Sequence, residues 1–368
     1  MPETEGPALL TVDLAAIAAN YRLLAAKAAP AEAAPAVKAD AYGLGIAGVA
    51  PALHRAGARS FFVAWLAEGI RLRALLPDVA IYVLNGLEPG QAAAYPAHRL
   101  VPCLDSRDAI DEWLAAAPGA PAALHLDTGI SRLGLPPEEW AALGREPALV
   151  ARLAPVLAMS HLATADDPAD PMSAKQRALF LDAVRALGLE GRVPLSLANS
   201  SGIFLGPDFH LDMVRPGAAI YGLAPLIGRP NPMRQPVRLQ AKILQVRRVD
   251  RGMTVGYGAT HRTTRPSLLA TISAGYADGI FRALGNRGHA CLGAVRVPMV
   301  GRVSMDLLTL DVTDAPAALV RRGAWVDLIG PAQTVDDLAA EAGTIGYEIL
   351  TALGSRYPRR YLDDGAAR

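Results

Sequence analysis

The chain has 368 residues, 52% of them hydrophobic, which is enough apolar material for a large core and, at ordinary domain sizes, for two domains. Its 36 basic residues nearly cancel its 35 acidic ones, for a formal net charge of +1, so nothing steers it toward nucleic acid or an anionic membrane. No apolar run approaches the roughly 20 residues of a membrane span, the start MPETEGPALL carries no basic and apolar leader pattern, and Cys103 and Cys291 lack any paired spacing. A cytoplasmic protein without a disulfide framework or metal site is expected.

The predicted elements then follow in order. Residues 9–12 read as a strand, and Asp13 as the N-cap of a helix over 15–27. Residues 35–37 are a short buried strand that delivers Lys38 to a turn, because Asp40, Tyr42, Gly43 and Gly45 cannot extend it. From there helices and strands alternate: helix 46–57 and strand 61–65, helix 67–75 and strand 81–84, helix 88–95 and strand 100–104. Helix 106–116 leads to strand 122–127, helix 137–150 to strand 155–161, and helix 173–187 to strand 194–199, with an eighth strand near 211–215. Eight short apolar strands alternating with helices predict an α/β fold of the closed (β/α)8 TIM-barrel type over residues 1–230, an open doubly wound sheet being the alternative.

After the proline-rich RPNPMRQP the rhythm changes. Strands are expected at 241–249, 268–273, 291–297, 307–312 and 325–329, then a helix over 335–342 opened by Thr334, Asp336 and Asp337, and another over 344–353. Residues 231–368 therefore form a second, mainly β domain, with which the first ten or so residues can pair.

Barrels place their chemistry where strands end. Lys38 stands at such an end, where desolvation can turn a lysine into a nucleophilic amine, although a solvated loop lysine would have the same local sequence. The fifth strand runs into HLDTGISRLG with Asp127, Thr128 and Arg132, the sixth into SHLATAD with His161, the seventh into NSSG with Ser200, and the eighth into VRPGAAIYG with Arg215, Gly217 and Ala218. Hydroxyls and backbone N–H groups after strands seven and eight suit a phosphate. Singly, each residue also fits a bland role as a core histidine, an ordinary turn or a surface arginine; their gathering on one barrel face favours a site.

AVKADAYGLG, LDTGISRLG, SHLATAD, NSSG, VRPGAAIYG, VGYGAT, GYADG, VGRVSMD and SRYPRRY, in this order along nearly the whole chain, resemble the blocks of the alanine racemase family. The resemblance implies a barrel that binds pyridoxal 5'-phosphate, a β domain, a head-to-tail homodimer with shared active sites, and racemisation of L- and D-alanine for peptidoglycan. It implies that Lys38 holds the cofactor covalently, that Tyr42, Ser200, Gly217 and Ala218 hold its phosphate, and that Arg215 faces the pyridine nitrogen with His161 behind it. Arg132 is implied to touch the phenolic oxygen, Tyr257 to be the second catalytic base, and Tyr276, Met305 and Asp306 to line the substrate pocket with Arg132. Three positions depart from the pattern. His125 stands where some members carry a carbamylated lysine, Ser355 where a phosphate-binding tyrosine is expected, and Ser304 where relatives often have cysteine.

Racemisation takes a proton from one face of a planar carbon and returns it to the other, which calls for two bases, here Lys38 and Tyr257. A phenol is a poor base at neutral pH unless positive charge such as that of Arg132, Arg215 or Arg282 favours the phenolate. An arginine does not give up its proton, so Arg215 would leave the cofactor's ring nitrogen neutral and its electron sink weaker. Ser304 and Ser355 leave a serine or broad-specificity racemase open, and the architecture alone would also serve an amino-acid decarboxylase or a non-catalytic cofactor-binding protein.

Overall fold

The computed structural model describes residues 6–363. Strand β1 (Ala8–Asp13) precedes the helix Leu14–Ala28, and the Asp13 carboxylate caps that helix by accepting the Ala16 N–H at 2.8 Å. Eight parallel strands follow: β2 (Glu32–Ala33), β3 (Ser60–Val63), β4 (Ala80–Val83), β5 (Val101–Leu104), β6 (Ala123–His125), β7 (Leu157–Met159), β8 (Leu195–Asn199) and β9 (Met213–Arg215). From β3 to β9 each strand pairs with the next, and β9 pairs with β2. The ring closes through a bridge from Ala36 to Phe62, with the Val37 N–H donating to Phe62 O at 2.8 Å and the Phe62 N–H to Pro35 O at 2.9 Å.

The strands are apolar on both faces because one face packs on helices and the other fills the barrel. Ala34, Ala36, Phe62, Tyr82, Val101, Cys103, Ala123, Leu157, Met159 and Met213 make the interior plug, in which Phe62 stacks on Tyr82 at 4.8 Å. The small residues Ala34 and Ala36, just after β2, belong to the same buried cluster as the aromatic pair.

The second sheet has the order β13–β16–β15–β14–β17–β10–β1–β18, and β10 also pairs with β13. Its members are β10 (Val237–Val249), β13 (Ser267–Ile272), β14 (His289–Leu292), β15 (Val295–Val300), β16 (Leu308–Asp311), β17 (Trp325–Ile329) and β18 (Arg359–Leu362), while β11 (Thr254–Val255) and β12 (His261–Arg262) form a separate hairpin. Strand β10 is 13 residues long; its first half pairs with β1 and β17 and its second half with β13, which curls the sheet. Strand β1 lies between β10 and β18, so the chain begins in the second sheet before entering the barrel.

Several expected elements differ. The helix expected over 137–150 is two helices, Pro137–Gly144 and Pro147–Leu153, because Pro147 cannot continue a hydrogen-bonded turn and disfavours helical backbone at Glu146. The helix expected over 88–95 shrinks to Ala94–Ala97, since Pro89 and Gly90 make a turn. Residues 291–297 are not one strand but parts of β14 and β15, turned over at Gly293, whose φ of 62° suits a two-residue hairpin. Strands β11, β12 and β18 are too short or too charged to announce themselves. Among the described residues, no helix is long and apolar enough to cross a membrane.

Candidate active site

A cleft of about 610 Å³ opens at the C-terminal ends of the barrel strands. Lys38, Ala39, Tyr42, Phe62, Arg132, His161, Asn199, Ser200, Arg215, Gly217 and Ala218 line it from the barrel side, and Thr344, Ile345, Tyr347, Glu348 and Thr351 from the helix Gly346–Ala352 and its approach.

The backbone around Lys38 is unusual. Ala39, Asp40, Ala41 and Tyr42 all have positive φ, between 53° and 56°, so the chain makes one left-handed turn. Each non-glycine residue pays roughly 1–2 kcal/mol for that conformation, and the surroundings must impose it. They do so with the Ala39 N–H donating to Glu68 Oε1 (2.7 Å), the Ile46 N–H to Asp40 Oδ1 (3.0 Å), Arg359 Nη2 to Gly43 O (2.9 Å) and the Tyr361 hydroxyl to Leu44 O (2.9 Å). The Tyr42 ring packs on Tyr221 at 4.6 Å, and the Tyr221 hydroxyl donates to Ala36 O at 2.9 Å, so both ends of the turn are tied to the barrel. Burial, with Arg132 and then Arg215 nearby, lowers the pKa of the Lys38 amine, while the Glu68 carboxylate opposes them.

At one end of the cleft the Ser200 hydroxyl accepts the N–H groups of Gly217 (2.9 Å) and Ala219 (3.2 Å). A Cβ on Gly217 would collide with the Tyr42 hydroxyl, so glycine is required there by close approach. In the barrel's upper layer the buried Arg215 donates from Nη1 to Ser196 Oγ at 2.5 Å and from Nη2 to Ser160 O at 2.5 Å, and its Nη2 lies 3.4 Å from His161 Nδ1. A guanidinium only donates, so Nδ1 of His161 must be the bare nitrogen. Burial brings the Arg215 pKa down to about 10, which leaves it charged at neutral pH. Burial first, then Arg215 and Arg132, holds His161 well below its usual value and therefore neutral.

One support, Gln176, escaped the sequence, and Asp127, which the sequence did place in the site's loops, has a structural role there. Gln176, fully buried, accepts the Ala163 N–H at 2.8 Å and donates to His161 O at 2.9 Å, fixing the His161 loop. Asp127 Oδ1 accepts the N–H groups of Gly129 (2.9 Å) and Ile130 (3.0 Å), and both its oxygens lie within reach of the Ser131 N–H, which shapes the loop carrying Arg132. His125 is buried and outside the lining, and among the described residues neither of its ring nitrogens has a partner; burial, reinforced by Arg215, lowers its pKa to about 4. Ser355, where the family resemblance would place a tyrosine, is outside the lining, whereas Tyr347 lines the cleft with its ring 6.3 Å from that of Tyr42. Its only sequence signal is an aromatic residue after Gly346 in a short helix.

Tyr257, Tyr276, Met305 and Asp306 do not line this cleft. Tyr257 follows β11 at the hairpin's turn and is 73% exposed, Met305 54% and Tyr276 45%. The last three form one constellation: the N–H groups of Tyr276 and Ala277 donate to Ser304 O (3.0 Å) and Met305 O (2.9 Å), and Arg356 Nη1 bridges Asp306 (2.7 Å) and Asp278 (3.2 Å). Among the described residues, no cluster of three or more His, Cys, Asp or Glu side chains could hold a metal ion.

The chain matches two family models, "Alanine racemase, N-terminal domain" over residues 12–225 and "Alanine racemase, C-terminal domain" over residues 236–361. An alanine racemase of Rhodospirillum rubrum is 52% identical over 366 residues, covering 98% of this chain and 97% of the relative. One of Methylobacterium nodulans is 54% identical over 360 residues, covering 97% and 96%. Among solved structures, alanine racemase from Bartonella henselae with covalently bound pyridoxal phosphate superposes with a TM-score of 0.92 at 42% identity, covering 96% of this chain and 99% of that one. The biosynthetic alanine racemase of Pseudomonas aeruginosa gives a TM-score of 0.89 at 35% identity, covering 97% and 99%. With both domains matched end to end and the lysine-centred cleft at the barrel mouth, the chain belongs to the alanine racemase family.

Proposed function

We propose that the protein is a pyridoxal 5'-phosphate-dependent alanine racemase that interconverts L- and D-alanine in the cytoplasm, supplies D-alanine for peptidoglycan, and works as a head-to-tail homodimer with shared active sites. The observation that carries this reading is the meeting of Lys38, Arg132, Arg215 and Ser200 in one cleft while Tyr257 and the Tyr276–Met305–Asp306 constellation stand exposed elsewhere on the same chain.

The cleft fits the cofactor. Its cations, Lys38, Arg132 and Arg215, outnumber its one acidic lining residue, Glu348, whose carboxylate accepts from Thr344, so an anionic group is favoured. The missing Cβ at Gly217 lets the Tyr42 hydroxyl approach the backbone at that end of the cleft. Lys38 would hold the cofactor covalently, Tyr42, Ser200, Gly217 and Ala218 its phosphate, Arg215 with His161 behind it the ring nitrogen, and Arg132 the phenolic oxygen. The cofactor supplies the electron sink for the substrate's α-carbon.

The chain's own residues move the proton. With its pKa lowered by burial, Arg132 and Arg215, the Lys38 amine is a better base near neutral pH than a free lysine, and it serves one face of the substrate. Among the described residues no carboxylate pairs with Arg215, whose bonds go to the Ser196 hydroxyl, the Ser160 and Leu197 carbonyls and His161 Nδ1, so its charge is not neutralised beside the cleft. Tyr257 of the second protomer serves the opposite face, and Tyr276, Met305 and Asp306 of that protomer narrow the pocket around a small side chain; their exposure in one chain supports this sharing.

Mixing Lys38→Ala with Tyr257→Phe protein tests the shared site. Each variant alone should be nearly inactive. Random reassortment makes half the dimers hybrids, each with one intact site, so about a quarter of wild-type activity should return. No recovery in a mixture shown by mass spectrometry to contain hybrids would refute sharing, and a wild-type protein that does not racemise alanine would refute the function itself.

A further inference from the structure

We propose that Glu68 is a positioning residue for Lys38: by accepting the Ala39 N–H, it holds the left-handed turn that aims the lysine into the cleft. The inference rests on the functional reading above and extends it to a residue outside the cleft lining.

Glu68 is the third residue of the helix Leu66–Leu75, which follows β3. Its Oε2 accepts the Ala64 N–H at 2.8 Å and the Trp65 N–H at 3.2 Å, the ordinary work of a carboxylate in a first helical turn. Its Oε1 does something that helix capping does not require, reaching back 29 residues along the chain to the Ala39 N–H at 2.7 Å. Ala39 is exposed and is the first of the four residues with positive φ, so packing of its own side chain cannot explain its conformation. Lys38 and Tyr42 stand at the two ends of that turn, and both line the cleft. One carboxylate thus joins the helix, the end of β3 and the lysine's turn, and both its oxygens are used.

The charged and titratable groups facing Lys38 come from every side: Arg132 from the loop after β6, His161 from the loop after β7, Arg215 on β9, and Tyr42 at the end of the turn. The Asp40–Arg71 pair, at 3.4 Å, links the turn to the same helix. Glu68 supplies the negative charge that opposes the two guanidiniums at the amine. It therefore has two measurable effects, one on the turn's geometry and one on the amine's protonation.

The test is cofactor retention by the full-length enzyme during dialysis, with thermal melting to establish that each variant is folded. Glu68→Ala should lose pyridoxal 5'-phosphate at least about tenfold faster than wild type, and adding Ala39→Gly, which tolerates positive φ, should restore about threefold of that loss. Should Glu68→Ala fail to fold, Glu68→Gln carries the test: its amide has one acceptor oxygen for two sets of N–H donors, so retention should fall and Ala39→Gly should again restore part of it. In Glu68→Gln freed of cofactor, the pH midpoint for acetylation of Lys38, read by peptide mass spectrometry, should move lower because Arg132 and Arg215 then act unopposed. Unchanged retention in the folded variants would overturn the proposal. So would a loss that Ala39→Gly does not restore together with an unmoved midpoint, since Glu68 would then only cap its helix. A wild-type chain that never retains the cofactor would overturn the functional reading and this inference with it.

Discussion

Replacing His125 with leucine should make the protein less sensitive to acid. The imidazole is buried, neither of its nitrogens meets a partner among the described residues, and burial lowers its native pKa to about 4 against a usual 6.5. A histidine whose native pKa is depressed costs nothing above the unfolded value; below it the unfolded chain takes up a proton that the native chain refuses, so stability falls with pH until the native pKa is reached. Between about pH 7.5 and pH 5 this linkage amounts to about 2 kcal/mol. His125→Leu has similar bulk and removes an unpartnered polar group, for a further gain of about 1 kcal/mol that is independent of pH. Denaturant unfolding followed by tryptophan fluorescence, on both proteins at both pH values, gives the double difference. His161 and every other titrating group are common to the two chains and cancel. A stability difference that is the same at both pH values would show that His125 is protonated, or partnered, in the native protein.

Borohydride reduction should fix pyridoxal 5'-phosphate on the peptide containing Lys38, and Lys38→Ala should abolish the label; label on Lys27, Lys175 or Lys242 would contradict the site. Gly217 has negative φ, so Gly217→Ala acts through the collision with Tyr42 alone: it should cost about 1–3 kcal/mol in thermal stability and speed cofactor loss, and unchanged values of both would contradict the close packing. Alanine should exceed lysine or arginine in kcat/KM by more than about tenfold, or ~1.4 kcal/mol, while comparable rates would make the enzyme a broad-specificity racemase.

The barrel was legible because its strands are short apolar runs ending in polar turns, and the residues at those ends, Lys38, His161, Ser200 and Arg215, do meet in one cleft. What stayed hidden depends on contacts distant in sequence. Nothing in Lys38-Ala39-Asp40-Ala41-Tyr42 asks for left-handed backbone except the mild tolerance of Asp40; the conformation comes from Glu68, Arg359 and Tyr361. Tyr347 reaches the cleft only because the helix Gly346–Ala352 packs over the turn at Lys38–Tyr42, which periodicity within that helix does not disclose. Gln176 reads as one polar residue on an amphipathic helix, yet it is fully buried under the His161 loop. The β14–β15 hairpin was missed because Gly293 and Ala294 interrupt a run whose β-branched and apolar residues otherwise continue through the turn.

Incubating the purified, cofactor-loaded protein with L-alanine in deuterium oxide, and resolving the products by chiral chromatography with mass detection, tests racemisation at this site most directly. D-alanine carrying one α-deuterium should appear, the reverse reaction should yield L-alanine from D-alanine, and both should approach an equal mixture, with no activity in Lys38→Ala. Alanine that keeps its configuration, or that instead releases carbon dioxide, would contradict the proposed function.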